Sequence, residues 1–181
     1  MSNYNPNLTL NQALQQMGGD PPSSIHWMVR LLENPASPIA LPGNVDLHRH
    51  DYLHLLLDRG LSLDDEAFVI GFTMGNDPAT KPWHLASFKL VSWLLYPREY
   101  RFSWMQLKIF DLGLVYGRSL TTKNFNRLDF SPYFNQTLAQ LRSHFGIDSQ
   151  TLASFEQVEQ ILKGQSGSEP IQTSQECLAG S

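Results

Sequence analysis

Apolar residues along this chain recur mostly at helical spacing, and no strongly alternating stretch argues for a β-sheet. Leu8 to Met17 reads as a short helix. Gly18-Gly19-Asp20-Pro21-Pro22 breaks it, because glycine is flexible and proline lacks the N–H a helix ladder needs. Ser24 caps a second helix that stops before Pro35, and a loop with Pro35, Pro38 and Pro42 follows. Asn44 caps the next helix, whose apolar positions are Leu47, Leu53, Leu56 and Leu57, and Gly60 ends it in the left-handed conformation. Ser62 caps another, with Asp64, Asp65 and Glu66 in its first turns, where the helix dipole favours anions. Ala67, Val69, Ile70, Phe72 and Met74 carry it to Asp77-Pro78.

Pro82 is tolerated as a first helical residue, so Trp83 to Tyr96 forms a helix that Pro97 stops. A further helix spans about Ser103 to Gly117, another starts at Ser131-Pro132 and ends near Gly146, and the last runs from Asp148 or Ser149 to near Gly164. The fold class expected is all-α: one compact domain of about seven to eight helices over residues 1–163, the first 23 partly irregular. The Ser-, Gly- and Gln-rich residues 164–181 read as a flexible tail.

Composition narrows the class. Hydrophobic residues make up 41% of the 181, ordinary for a globular domain with a sizeable core. Apolar runs such as Phe68-Val69-Ile70 fall far short of the roughly 18 residues of a membrane span. The first 29 residues hold no Lys or Arg, so neither an Arg-rich transit peptide nor a secretory leader is expected. The single cysteine, Cys177, cannot form an internal disulfide, which fits a reducing cytoplasmic setting. Charge is uneven: Asp46 to Asp77 holds seven acidic and two basic residues, and Lys81 to Arg127 holds eight basic and two acidic. That pattern suits a cation site beside an anion-facing surface.

The chemistry concentrates at His50, Asp51, His54 and Glu66. His50 and His54 are four apart and share a helix face, with Asp51 toward the same edge. The short connection around Gly60 favours antiparallel packing of the two flanking helices. His54 lies six residues before Gly60 and Glu66 six after it, so both stand at comparable heights on facing helices. Two imidazoles with one or two carboxylates suit zinc, with iron, manganese or, if all four bind, magnesium as alternatives. A weakly held carboxylate would leave a position for water or substrate; four tight ligands would make the ion structural. The bland alternative is a pair of ordinary histidines beside acids, against which four residues closing on one point weigh. His48 faces away, and His26, His84 and His144 have no matching partners.

His50-Asp51-x-x-His54, eleven residues and Glu66 resemble the HDxxH-x11-E motif of the coenzyme Q (ubiquinone) biosynthesis protein four family. Gly60 between His and Glu, Phe72 after the Glu, and the runs Gly117-Arg118-Ser119-Leu120, Leu128-Asp129-Phe130 and Leu138-Ala139-Gln140-Leu141-Arg142 are similar to that family's pattern, over roughly Ser24 to Ile147. The chain departs from it at Asp65, where the family commonly has Gly, and at Asp77 to Pro82, where the family has a second acidic cluster. The resemblance implies an all-helical, membrane-peripheral protein with a divalent ion held by His50, Asp51, His54 and Glu66. It also implies binding of a polyprenylated quinone precursor, oxidative decarboxylation at ring C1, and contact with other quinone-biosynthesis proteins. A non-catalytic prenyl-lipid carrier or scaffold with a structural ion is the second reading. A metal phosphohydrolase, drawing on His26 and on Asp111 or Asp129, is the third.

Lys81 to Arg127 also carries ten of the twenty aromatic residues, interleaved with Lys89, Arg98, Arg101 and Lys108. Rings with bases suit contact with anionic lipid head groups, or a tunnel for an isoprenoid tail; a plain aromatic core is the competing reading. No nucleic-acid-binding motif accompanies the charge, so nucleic acid is not an expected partner, and a homodimer is left open.

Overall fold

The computed structural model describes residues 3–17, 43, 47–94, 96, 98 and 101–166. These contain seven α-helices and no strand beyond an isolated bridge between Thr9 and Thr137. The helices are α1 (Leu10–Gln16), α2 (Leu47–Leu56), α3 (Leu63–Asn76), α4 (Pro82–Leu94), α5 (Trp104–Ser119), α6 (Leu138–Phe145) and α7 (Ser149–Ser166). Four of them start on a reciprocal capping box, in which the cap hydroxyl accepts from the backbone three residues on and that residue's side chain answers. The pairs are Thr9 with Gln12, Ser62 with Asp65, Ser103 with Gln106 and Thr137 with Gln140. The expected helix capped by Ser24, the Asn44 cap and residues 167–181 of the tail lie outside the described residues.

The centre of the fold is the contact of α3 with α5. Gly71 and Gly75 line one face of α3, and Gly113 and Gly117 line one face of α5. A Cβ at Gly71 would fall 2.1 Å from the Phe110 carbonyl oxygen, and one at Gly113 would fall 2.1 Å from that of Phe68. Gly75 against Leu114 and Gly117 against Phe72 are as close, at 2.2 Å. Backbone meets backbone here, and any larger residue would drive the helices apart. Numbers on the two helices rise together along the contact, so α3 and α5 run parallel. Polar ties hold both ends: Gln106 donates to Asp64 at 2.7 Å, and the Asn76 amide donates to the Gly117 carbonyl at 3.2 Å.

α4 is the return path and runs antiparallel to α5. Phe88 stacks on Phe110 at 4.9 Å, Lys89 pairs with Asp111 at 2.6 Å, and Phe102 N–H reaches the Ser92 carbonyl at 3.1 Å. The expected helix of Trp83 to Tyr96 is thus Pro82–Leu94, with Pro82 inside its first turn. The aromatics of this region divide. Phe88, Tyr96, Phe102, Phe110, Tyr116 and Phe125 are buried, whereas Trp83, Trp93 and Trp104 are exposed.

Two expected boundaries differ. Ser131-Pro132 opens only a single 3-10 turn, Ser131–Tyr133, and the helix begins at Leu138. The amino-terminal segment explains this: Leu10 N–H bonds the Gln136 carbonyl and Leu138 N–H bonds the Leu8 carbonyl, both at 2.9 Å, which holds Thr137 between them in extended backbone. The left-handed residue after α2 is Asp58 (φ 56°), not Gly60. Aspartate tolerates that conformation when its polar groups are engaged. Asp58 accepts from the Asn3 side chain at 2.6 Å and from Tyr4 N–H at 3.1 Å. Buried Arg142 donates to the Leu55 and Leu56 carbonyls, both at 2.9 Å, and so caps the end of α2.

Two alanine substitutions test the glycine contact. Gly113→Ala is expected to lower the unfolding free energy by ~3 kcal/mol in denaturant titration, since the methyl has no room. Gly164→Ala, on α7 where nothing lies within 4 Å, is expected to raise it by about 0.5–1 kcal/mol.

Candidate metal centre

α2 and α3 are joined by residues 57–62, and the side chains facing each other across this connection are His50, His54 and Glu66. One turn of α2 separates the histidines, so both imidazoles point the same way. Their Nε2 atoms lie 2.9 Å apart. Glu66, in the first turn of α3, places Oε1 3.0 Å from His50 Nε2 and Oε2 3.1 Å from His54 Nε2. All three residues are buried.

Such a cluster could hold a metal ion: one donor atom from each residue lies within 4.8 Å of the other two. The fit can be checked on distances. Ligands about 2.0–2.1 Å from a tetrahedral ion stand ~3.3 Å from each other, so these donors need to spread by only a few tenths of an ångström. His54 is also oriented from behind, because its Nδ1–H donates to the Gly60 carbonyl at 2.7 Å. That bond fixes the tautomer and leaves Nε2 with its lone pair toward the cluster. The glycine expected to end the helix therefore serves through its carbonyl.

Electrostatics match a site that exchanges protons for a cation. Burial pulls the His54 pKa down, but its hydrogen bond to Glu66, the Glu66 charge, the Gly60 carbonyl and the Asp51 charge together hold it above the ordinary histidine value. Burial pushes Glu66 up, yet His50 and His54 bring it below the usual carboxylate range. A cation at this point would compete with the proton for the same donor atoms.

The four residues expected as ligands do not all converge. His50, His54 and Glu66 do; Asp51, half-buried on α2, stands outside this group of three while its charge reaches His54. His48 lies on α2, and His26 is outside the described residues. His84 is used locally, its Nδ1 accepting from Lys81 N–H at 2.9 Å, and His144 packs its ring against Tyr133. Asp111 is paired with Lys89, and exposed Asp129 accepts from Ser131. Neither joins the cluster. Tyr96 was read from the sequence only as one aromatic among many. It is buried, and burial together with the Glu66 charge pushes its phenol up to about 12, so it stands within electrostatic reach of the site as a neutral group. No helix among the described residues is long and apolar enough to cross a membrane.

Elemental analysis of purified protein is expected to find about one metal equivalent per chain, the stoichiometry of a single three-donor site. His54→Ala and Glu66→Ala are expected to lose it, and Asp51→Asn to keep it. The pH dependence has a definite sign. A raised His54 pKa stabilises the metal-free fold below the unfolded histidine value, and that contribution disappears as pH rises through the folded value. A lowered Glu66 pKa stabilises above the unfolded carboxylate value and is lost as pH falls through the folded one. Metal-free protein is therefore expected to lose melting temperature as pH rises past the His54 pKa. Metal affinity is expected to rise over the same range, as the proton competitor leaves; both are read by thermal melts with and without added metal. Comparison of the chain with family models, curated proteins and solved structures returned no match.

Proposed function

We propose that this chain is a metal-binding protein of prenylquinone biosynthesis that binds a polyprenylated ring precursor and replaces the ring's C1 carboxyl with a hydroxyl. The observation that carries the reading is the convergence of His50, His54 and Glu66 on one buried point, at the spacing of the motif the sequence resembles. Two imidazoles and one carboxylate fill three positions and leave others for water or substrate, the catalytic rather than the structural pattern. Zinc is the ion this reading favours, with iron or manganese accepted by the same donors. A bound cation would act as a Lewis acid toward a ring carboxylate and neighbouring phenolate.

The chain's own groups would do the rest. His54, locked by the Gly60 carbonyl, keeps its donor nitrogen aimed at the cluster. Glu66 balances the positive charge, and the Tyr96 phenol stays protonated as a neutral neighbour. Breaking the bond from the ring to the carboxyl carbon releases carbon dioxide, and a hydroxyl oxygen from water or dioxygen takes its place, a two-electron oxidation of the ring. Zinc carries no redox chemistry, so dioxygen or another electron acceptor has to take those electrons.

The test is carbon dioxide release from a carboxyl-labelled, short-tailed prenyl hydroxybenzoate with metal-loaded protein and an oxidant. His54→Ala is expected to reduce it by about a hundredfold or more while circular dichroism stays native. Retained metal with no carbon dioxide release would favour a scaffold with a structural ion. Phosphate release from simple phosphoesters would favour a phosphohydrolase.

A further inference from the structure

α4 turns its apolar residues outward. Its inward face is His84, Phe88 and Ser92, buried and four residues apart. The opposite arc carries Pro82, Trp83, Ala86, Leu90, Trp93 and Leu94, all exposed. Trp83 is 60% exposed, Leu90 55%, Trp93 52% and Leu94 48%. No charged residue stands in that arc. An ordinary surface helix places its polar residues there. Trp83 to Leu94 spans about 16 Å along the helix axis, enough for a continuous contact stripe.

The charge around the stripe selects its occupant. From Lys81 to Lys108 there are five basic residues and one acidic residue, Glu99. Lys81, Arg98 and Arg101 are exposed at the two ends of α4. Arg101 donates to the Tyr96 and Leu94 carbonyls, which fixes a positive charge at the end of the helix. Lys89 is engaged with Asp111 and adds little net charge. Tryptophans near both ends of an apolar arc, with bases flanking it, are the composition of a helix lying in a bilayer interface, its rings at head-group level. A protein partner matched to an apolar stripe would not by itself require exposed bases at both ends of it.

We infer that the outward face of α4, from Trp83 to Leu94, docks this protein onto an anionic lipid surface, with the helix lying parallel to the membrane. The inference stands on exposure and charge, independently of the chemistry proposed for the metal.

The test is co-sedimentation of the full chain with vesicles of phosphatidylcholine alone and of phosphatidylcholine mixed with phosphatidylserine, beside Leu90→Glu/Trp93→Glu. Both replaced residues are exposed, so the double variant should fold, as circular dichroism and an unchanged metal content would verify. Wild-type protein is expected to bind the phosphatidylserine vesicles, with a blue shift in tryptophan emission and weakening at high salt. The double variant is expected to partition about tenfold less or lower. No binding to either vesicle, equal binding to both, or an unaffected double variant would overturn the inference. So would a wild-type dimer in sedimentation velocity that the double variant dissociates, since the face would then belong to a second copy of the chain. His54→Ala should bind vesicles like wild type; that result separates failure of the docking face from failure of the proposed chemistry.

Discussion

Backbone contact between α3 and α5 is the constraint on which the rest of the structure depends. Two parallel helices rarely come so near without small residues on both sides, and here Gly71 and Gly75 face Gly113 and Gly117. The approach trades the usual interlocking of side chains for dispersion between main chains and for weak Cα–H···O contacts. It also releases the larger residues of both helices to point elsewhere. Phe68 and Phe72 on α3 and Tyr116 on α5 build an aromatic layer with Phe125 and Phe155. Because the helices are parallel, their amino-terminal ends lie side by side, tied by Gln106 and Asp64. Glu66 sits in the first turn of α3, where the helix dipole favours a carboxylate.

The connection after α2 concentrates several duties in a few residues. Asp58 holds the amino-terminal segment through Asn3 and Tyr4. Arg59 is buried, pairs with Glu159 of α7 at 2.9 Å and lies 3.6 Å over the Phe68 ring. Gly60 gives its carbonyl to His54. A buried pair of this kind adds little net stability, because desolvation offsets the attraction, but it penalises any arrangement that separates the two charges. The turn that positions the candidate metal ligands is in this way tied to both the amino-terminal segment and the last helix.

The all-helical class was legible because helical spacing dominates the chain and proline and glycine punctuate it. The convergence of His50, His54 and Glu66 was legible too, since a four-residue step and a short connection leave few other geometries. What escaped is instructive. A glycine inside a helix is by itself a cost, and the purpose of these four exists only once the second helix is present. Thr137 with Gln140 is a capping pair that the sequence contains, yet Ser131-Pro132 offered an equally good local start. Only the long-range bonds from Leu8 and Leu10 decide between them. Asp58 took the left-handed position through contacts with residues more than fifty positions away. The orientation of His54 depends on a main-chain carbonyl, which no residue type announces.

Connections between helices are usually where a fold tolerates changes of length. This one should not be. One residue added between His54 and Glu66 would rotate every later position of α3 by about 100° unless absorbed in the turn. If it were absorbed there, the Gly60 carbonyl would leave His54. The eleven residues between those two side chains therefore act as a fixed gauge. Evolutionary drift in this protein should be permissive toward the side chain at exposed Leu61 and intolerant of insertions and deletions, the reverse of the ordinary behaviour of a surface turn.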